Sequence, residues 1–253
     1  SKFFLLARKI TQPFFLTRML ARRVFRHAKS EVMISDYDKT IKLNLKLSEH
    51  IQRRIFWMGY CSTDVVSILK TLVTEGMTVL DVGANIGEIT LLVAKRVGVK
   101  GRVVSFEPVT SNFNKLKKNV ELNNFKNVTL IKEGLGAKAQ KNISIYPSSG
   151  NSSSDENHGL ASLFNNNKFE NPIDYISIEK MDDIVNELRL SRIDLIKIDI
   201  EGGEMDCLIG AQSTLKKYRP MLIVEVQEHT SQQAGWSGLQ LFEYLEKFNY
   251  EFF

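Results

Sequence analysis

The sequence predicts an α/β chain built on a doubly wound, mostly parallel sheet, and three observations carry that expectation. Short apolar runs alternate with amphipathic helical stretches from residue 76 onward. Glycines gather where the first of those runs ends, in Asp81-Val82-Gly83-Ala84-Asn85-Ile86-Gly87. An acid, Glu107, closes the second run. With 253 residues, 43% of them hydrophobic and 25% charged, the chain can bury one large core; a disordered chain, a fibrous repeat and a disulfide-stapled miniprotein are excluded.

Residues 1–30 read as an arm. They hold eight Lys and Arg and no acid, against an overall formal charge of +5, so the rest of the chain is net acidic. The basic balance belongs to the arm alone, and no aromatic or basic reader motif follows it, which argues against a nucleic-acid partner. Phe3, Leu6, Ile10, Phe14, Thr17, Leu20, Ala21 and Val24 recur at helical spacing with cations between them, and Pro13 suits the first turn of a second helix. Two short amphipathic helices are expected. Two readings stay open: helices docked on the domain or on a second subunit with their cations in solvent, or a helical surface lying on an anionic membrane.

No run approaches the roughly 18 apolar residues of a membrane span, and residues 3–7 are too short for a signal-peptide core. Cys61 and Cys207 have neither metal-ligand nor disulfide-framework spacing, which suits a reducing compartment. A cytoplasmic chain, at most peripheral to a membrane, is the expectation. Beginning on Ser1 rather than Met, it is expected to lack its original start.

Residues 31–75 precede the core. The alternation of Ile34, Tyr37, Ile41, Leu43, Leu45 and Leu47 within 32–47 predicts a hairpin, and 64–74 reads as a helix. From 76 to 253 the strand-helix rhythm runs 78–82 then 88–97, 102–106 then 111–123, 128–131, and later 194–200 then 203–217, 221–226 then 239–248, with a last strand beginning at 250–253. Between these, 148–171 is rich in Ser and Asn without a sustained hydrophobic period, and reads as either a substrate-side lid or an uninvolved surface loop.

Gly83 and Gly87 let backbone approach a ligand where a buried strand passes into a helix, and amides near a helix start present donors to an anionic group. The spacing departs from the dinucleotide pattern GxGxxG, which disfavours an NAD-dependent oxidoreductase. Asp81 instead offers a carboxylate suited to a cationic amino group. Glu107, at the end of the second strand, sits where an acid accepts both ribose hydroxyls. A glycine turn plus this acid predicts an adenosine-containing cofactor, with Ala84, Asn85 and Pro108 beside it.

The run from Asp81 to Gly87, then Phe106-Glu107-Pro108, then Ile196-Lys197-Ile198-Asp199-Ile200-Glu201-Gly202 with Glu204, Gly210-Ala211 and Pro220 to Glu225, resembles the FkbM-type S-adenosylmethionine-dependent methyltransferases. The resemblance covers roughly residue 59 to the C-terminus. It implies a class I, Rossmann-like fold, S-adenosylmethionine as cofactor, and methylation of hydroxyl oxygens on sugars, lipids or secondary metabolites. It also implies that the glycine turn meets the methionine part of the cofactor, that Glu107 takes the ribose, and that Glu133-Gly134-Leu135 flank the adenine. Two departures limit it. Gly59-Tyr60 is followed by Cys61-Ser62-Thr63 rather than promptly by an acid, and the antiparallel hairpin that closes such sheets is missing its last strand, which must come from elsewhere or have been removed.

Methyl transfer from a sulfonium is an in-line displacement, so alignment is the protein's main contribution, and an alcohol acceptor also benefits from a base. Strand alternation puts Lys197, Asp199 and Glu201 on one side, and Glu225, Gln227 and His229 on one side of the next strand or its exit. Asp199, Glu225 and His229 are the candidate bases, with Asp199 alternatively positioning the methyl donor. Lys197 is either part of the site or one half of a buried ion pair with Glu225 or Asp199. His158 falls in the candidate lid; His27 and His50 are expected to be unrelated to the site. Asp199, Glu201 and Glu225 could supply oxygens to a divalent metal, but nothing in the resemblance demands one and no metal is expected. A catalytically silent binding module that keeps the cofactor fold is the alternative of a different class.

Overall fold

The computed structural model describes residues 2–147, 161–163 and 171–253. Two helices open the chain, α1 (Lys2–Thr11) and α2 (Phe15–Val24), parted at Pro13, which has no N–H to continue a helix. A hairpin, β1 (Glu31–Tyr37) and β2 (Ile41–Lys46), and helices α3 (His50–Met58) and α4 (Thr63–Leu72) follow. The alternation predicted for the hairpin is real: Val32, Ile34, Tyr37, Ile41, Leu43 and Leu45 are all buried.

The core then runs β3 (Thr78–Val82), α5 (Glu88–Val97), β4 (Arg102–Phe106), α6 (Thr110–Leu122), β5 (Val128–Ile131), β6 (Gly134–Leu135), β7 (Gln140–Pro147), β8 (Ala161–Ser162) and β9 (Asp174–Glu179). It ends with α7 (Met181–Glu187), β10 (Leu195–Ile198), α8 (Glu204–Ile209), α9 (Gln212–Tyr218), β11 (Met221–Val224), α10 (Glu228–Gln233) and α11 (Gly238–Glu246). Five strands form a fully parallel sheet in the order β11-β10-β3-β4-β5. The chain steps outward from β3 to β5, then returns to β10 on the other side of β3. The carboxyl end of β3 is thus a topological switch point, where open parallel sheets bind their ligands.

Successive strand residues divide between two cores. Val79, Val103 and Leu195 pack with the hairpin, α3, α4 and α5. Leu80, Val82, Val104, Phe106, Ile196 and Ile198 pack with α7, α8, α9 and α11. This sandwich of a parallel sheet between two apolar layers is the doubly wound α/β architecture of the class I methyltransferase type.

Three expectations need correction. The helix expected over 203–217 is two helices, because Gly210 packs backbone to backbone on Gly136: a Cβ there would lie 2.1 Å from the Gly136 carbonyl oxygen. The broken end is satisfied by Asp182, which accepts from the Ser213 and Thr214 amides at 2.9 and 2.8 Å. No strand forms after α11; Tyr250 instead donates its hydroxyl to the Pro220 carbonyl at 3.0 Å. A second sheet in the order β6-β9-β7-β8 was not anticipated, because β6 and β8 have only two residues each and the pairing of β7 with β9 joins segments on either side of the Ser/Asn-rich stretch. The Ser/Asn-rich segment 148–171, with His158, lies outside the described residues except for 161–163 and 171.

Gly210→Ala should therefore cost roughly 1–3 kcal/mol, the range for forcing extra volume into a packed contact, with an unchanged denaturant slope in urea unfolding. A change within error of zero would show that the α8–α9 break does not depend on this contact.

Candidate active site

The turn after β3 holds Gly83 at φ +77°, Asn85 at +50° and Gly87 at +97°. The amides of Gly83 and Ala84 both donate to the Phe106 carbonyl, at 3.0 and 2.9 Å, tying the turn to the end of β4. A Cβ on Gly83 would meet the Asp199 carbonyl oxygen at 1.9 Å. Only glycine lets this turn touch the exit of β10, and that contact brings the two most distinctive sequence motifs together.

Glu107, where β4 ends, is 5% exposed and accepts from the Asn85 amide at 2.8 Å and the Val109 amide at 3.0 Å. Burial pushes its carboxyl up to about 7 against the pull of those hydrogen bonds. It borders a cavity of about 300 Å³. Pro108, Glu133 and Gly134 line the cavity beside it, and Ile145, Ile176 and Ile178 of the second sheet supply an apolar wall. Burial, then Glu179 and Glu187, raise the Glu133 carboxyl as well. A carboxylate beside a slot of prolyl, glycyl and aliphatic surface suits a ribose joined to a flat base.

The other end of the cavity is acidic. Lys197 Nζ donates to the Val82 and Gly83 carbonyls at 3.2 and 3.0 Å and lies 3.4 Å from Asp199 Oδ2 and 3.6 Å from Asp81 Oδ1. Burial disfavours its charge, but Asp199 and Asp81 outweigh that and hold its pKa above the usual lysine value. Asp199 is the converse case: burial opposes ionisation, yet Lys197 and a hydrogen bond from Glu225 keep its carboxyl below the ordinary range. Glu225 stands open to solvent at the rim; its hydrogen bond to Asp199, more than burial, lifts it to about 8. Glu201, at φ +54°, is raised to about 7 by burial, then by Asp199 and Glu204. Glu204 secures the exit turn by accepting from the Ile200 and Gly202 amides, each at 3.0 Å. Asp199, Glu201 and Glu225 each present an oxygen within 4.8 Å of the others, a spacing able to hold a divalent cation.

Of the residues expected at the site, Gly83, Ala84, Asn85, Glu107, Pro108, Glu133, Gly134, Lys197, Asp199 and Glu225 line this cavity. Asp81, Gly87 and His229 do not. Asp81 is 0% exposed beneath the floor, where Thr90 donates to its Oδ2 at 2.6 Å. Its other oxygen, Oδ1, faces the Lys197 ammonium at 3.6 Å. Gly87 caps α5, with Leu116 Cδ1 2.8 Å from where its Cβ would stand. His229 is exposed on α10 and contacts Gln233, because β11 stops at Val224 and the new helix turns it away.

The cavity also has lining residues that the pattern did not single out. Glu88, in the first turn of α5, is buried, accepts from the Cys61 amide at 2.7 Å, and is raised to about 7 by burial. Cys61, also lining, is raised to about 12 by burial and Glu88, so its thiol stays protonated. His50, expected to be unrelated, lines the rim and accepts a hydrogen bond from Arg22. Glu88 had a local signal, following Gly87 directly; His50 had none, since only the packing of α3 brings it here.

The family model described as Methyltransferase FkbM domain matches residues 81–252. A protein of Beauveria bassiana named Methyltransferase 1 is 33% identical over 147 residues, 52% of this chain and 57% of that protein. The AMB antimetabolite synthetase AmbE of Pseudomonas aeruginosa is 28% identical over 250 residues, 87% of this chain and 11% of that protein. The chain thus spans between a tenth and three fifths of these curated relatives. Among solved structures, a SAM dependent methyltransferase from Aquifex aeolicus is 34% identical over 30% of this chain and 40% of that one, with a TM-score of 0.27.

Because Asp81 is enclosed with Lys197 as its counter-ion, Lys197→Met should cost about 3–5 kcal/mol in urea unfolding, and adding Asp81→Asn should recover part of that loss. A loss below about 1 kcal/mol for the single variant would mean that Asp81 does not depend on the lysine.

Proposed function

The chain belongs to the FkbM methyltransferase family, with S-adenosylmethionine as methyl donor, and on that premise we propose that it methylates a hydroxyl oxygen of a sugar, lipid or secondary metabolite. The observation that carries the reading is the Asp199–Glu225 carboxyl pair beside Lys197 at the carboxyl ends of β10 and β11, next to the glycine turn. The bound donor supplies a methyl group on a positively charged sulfur; the remaining work of alignment and proton removal falls to side chains.

In this reading Glu107 accepts the ribose hydroxyls, and Pro108, Glu133 and Gly134 border the base. The backbone at Gly83, Ala84 and Asn85 borders the amino-acid end. Asp199, kept ionised by Lys197, presents negative charge to the cationic part of the donor. Glu225 is the base. As a neutral acid it donates to Asp199; once ionised, it is a carboxylate at the cavity rim able to take the acceptor's proton. Lys197 is a positioning residue, fixing the Val82 and Gly83 carbonyls and Asp199 in one place, with Asp81 behind it.

Two measurements test this. S-adenosylhomocysteine should bind in calorimetric titration, and Glu107→Gln should weaken it by about tenfold or more, the value of hydrogen bonds to a charged acceptor. No binding by the folded chain would sink the assignment. Turnover of a hydroxylated acceptor, found by screening labelled donor against extracted lipids, glycans and metabolites, should rise with pH to a midpoint at or below about 8, because Glu225 is lifted to about 8 without the donor and the cationic donor lowers it. Glu225→Gln should lower turnover and remove that limb while leaving affinity for S-adenosylhomocysteine within about twofold; an unchanged profile would exclude Glu225 as the base.

A further inference from the structure

The N-terminal arm is folded largely inside out. Three of its cations turn inward: Arg8 Nε donates to the Phe56 carbonyl at 2.6 Å and its Nη1 lies 2.6 Å from an Asp36 oxygen, Arg22 bonds His50, and Arg18 is half-buried. Apolar side chains turn outward. Leu6, Ile10, Phe14, Leu16, Leu20 and Val24 are each more than half exposed, Leu16 reaching 78%. Water alone favours the reverse, and contiguous apolar surface on this scale marks a contact site. Around it Lys2, Lys9, Arg23, Arg26 and Lys29 remain exposed, and no acid occurs before Glu31.

We propose that α1 and α2 form a docking surface for an anionic lipid bilayer, lying in its interface and setting the cavity mouth beside the headgroups. Each helix has ten residues, about 15 Å in length, so neither can cross the hydrocarbon core, whereas an apolar face fringed by cations is what interfacial binding uses. A second copy of this chain is the poorer occupant. A twofold contact would set each arm's exposed cations against their own kind, with no acid in the arm itself to answer them.

The link to the cavity is direct. Arg22 of α2 holds His50 of α3, and His50 and Ile51 line the cavity, so the docked face lies about one helix diameter, on the order of 10 Å, from its mouth. This consequence for the acceptor rests on the methyl-transfer reading; the docking itself does not.

Vesicle co-sedimentation tests it, using the full chain with vesicles of phosphatidylcholine alone and with roughly a third phosphatidylglycerol, at low and high salt. The chain should sediment with the anionic vesicles and release at least about tenfold with the neutral ones or at high salt. Leu16→Glu/Leu20→Glu, at two exposed positions, should melt as wild type does yet bind the anionic vesicles at least about tenfold more weakly. Absence of binding by wild type, equal binding to both vesicle types, or unaltered binding by the variant would overturn the proposal. So would a solution dimer that the same variant converts to monomer. No methyl acceptor or cofactor is needed, so a failed transfer assay and a failed docking assay remain distinguishable.

Discussion

The site depends on one buried cation. Lys197 stands in β10 directly across from Asp81 in β3, and its ammonium also reaches two carbonyls at the end of β3 and the carboxylate of Asp199. A lysine and an aspartate enclosed between apolar layers are each costly alone, and their attraction recovers the cost only when geometry and hydrogen bonding are good. Here Thr90 donates to the far oxygen of Asp81 and the turn carbonyls accept from the lysine, while the near oxygen of Asp81 makes no hydrogen bond and relies on the ammonium 3.6 Å away. The pair fixes the register of two strand ends and, through them, the floor of the cavity.

That floor needs a second constraint, steric rather than electrostatic. The contact between Gly83 and the Asp199 carbonyl leaves no room for a side chain, so the glycine turn and the acidic exit of β10 share one surface. Glu204 and the Trp236 indole, which donates to the Gly202 carbonyl at 2.8 Å, hold that exit from the other side. Two loops over a hundred residues apart in sequence thereby act as one rigid wall, as a site that works by alignment requires.

Much of this was legible in the sequence because it is local. The parallel strands show as apolar runs, the turn shows in Gly83 and Gly87, and the place of Glu107 follows from the strand it ends. Where the placement of residues differs from the expectation, the causes are physical too. A carboxylate leading into a ligand turn looks like a ligand group, but strand alternation put Asp81 on the face covered by α5, where Thr90 waits. His229 was placed by extending β11 past Val224, where the chain turns into a helix. His50 and the second sheet's aliphatic wall arise from packing between distant segments, and the inward turn of Arg8 and Arg22 depends on partners, Asp36 and His50, that a helical pattern does not contain.

The acids of the floor explain why so polar a cavity tolerates one lysine. Asp199 stands 3.4 Å from the ammonium and shares with Glu201 and Glu225 a cluster whose oxygens lie within 4.8 Å of one another; the hydrogen bond to Asp199 lifts Glu225 to about 8 and burial lifts Glu201 to about 7, while Asp199 is held below its ordinary range. Protons taken up to relieve like-charge repulsion are released when another positive charge arrives. Such a floor favours a cationic ligand and, in accommodating one, converts Glu225 from a donor into an acceptor of protons. Charge balance and the protonation of Glu225 are then two aspects of one equilibrium, set beside the same buried lysine.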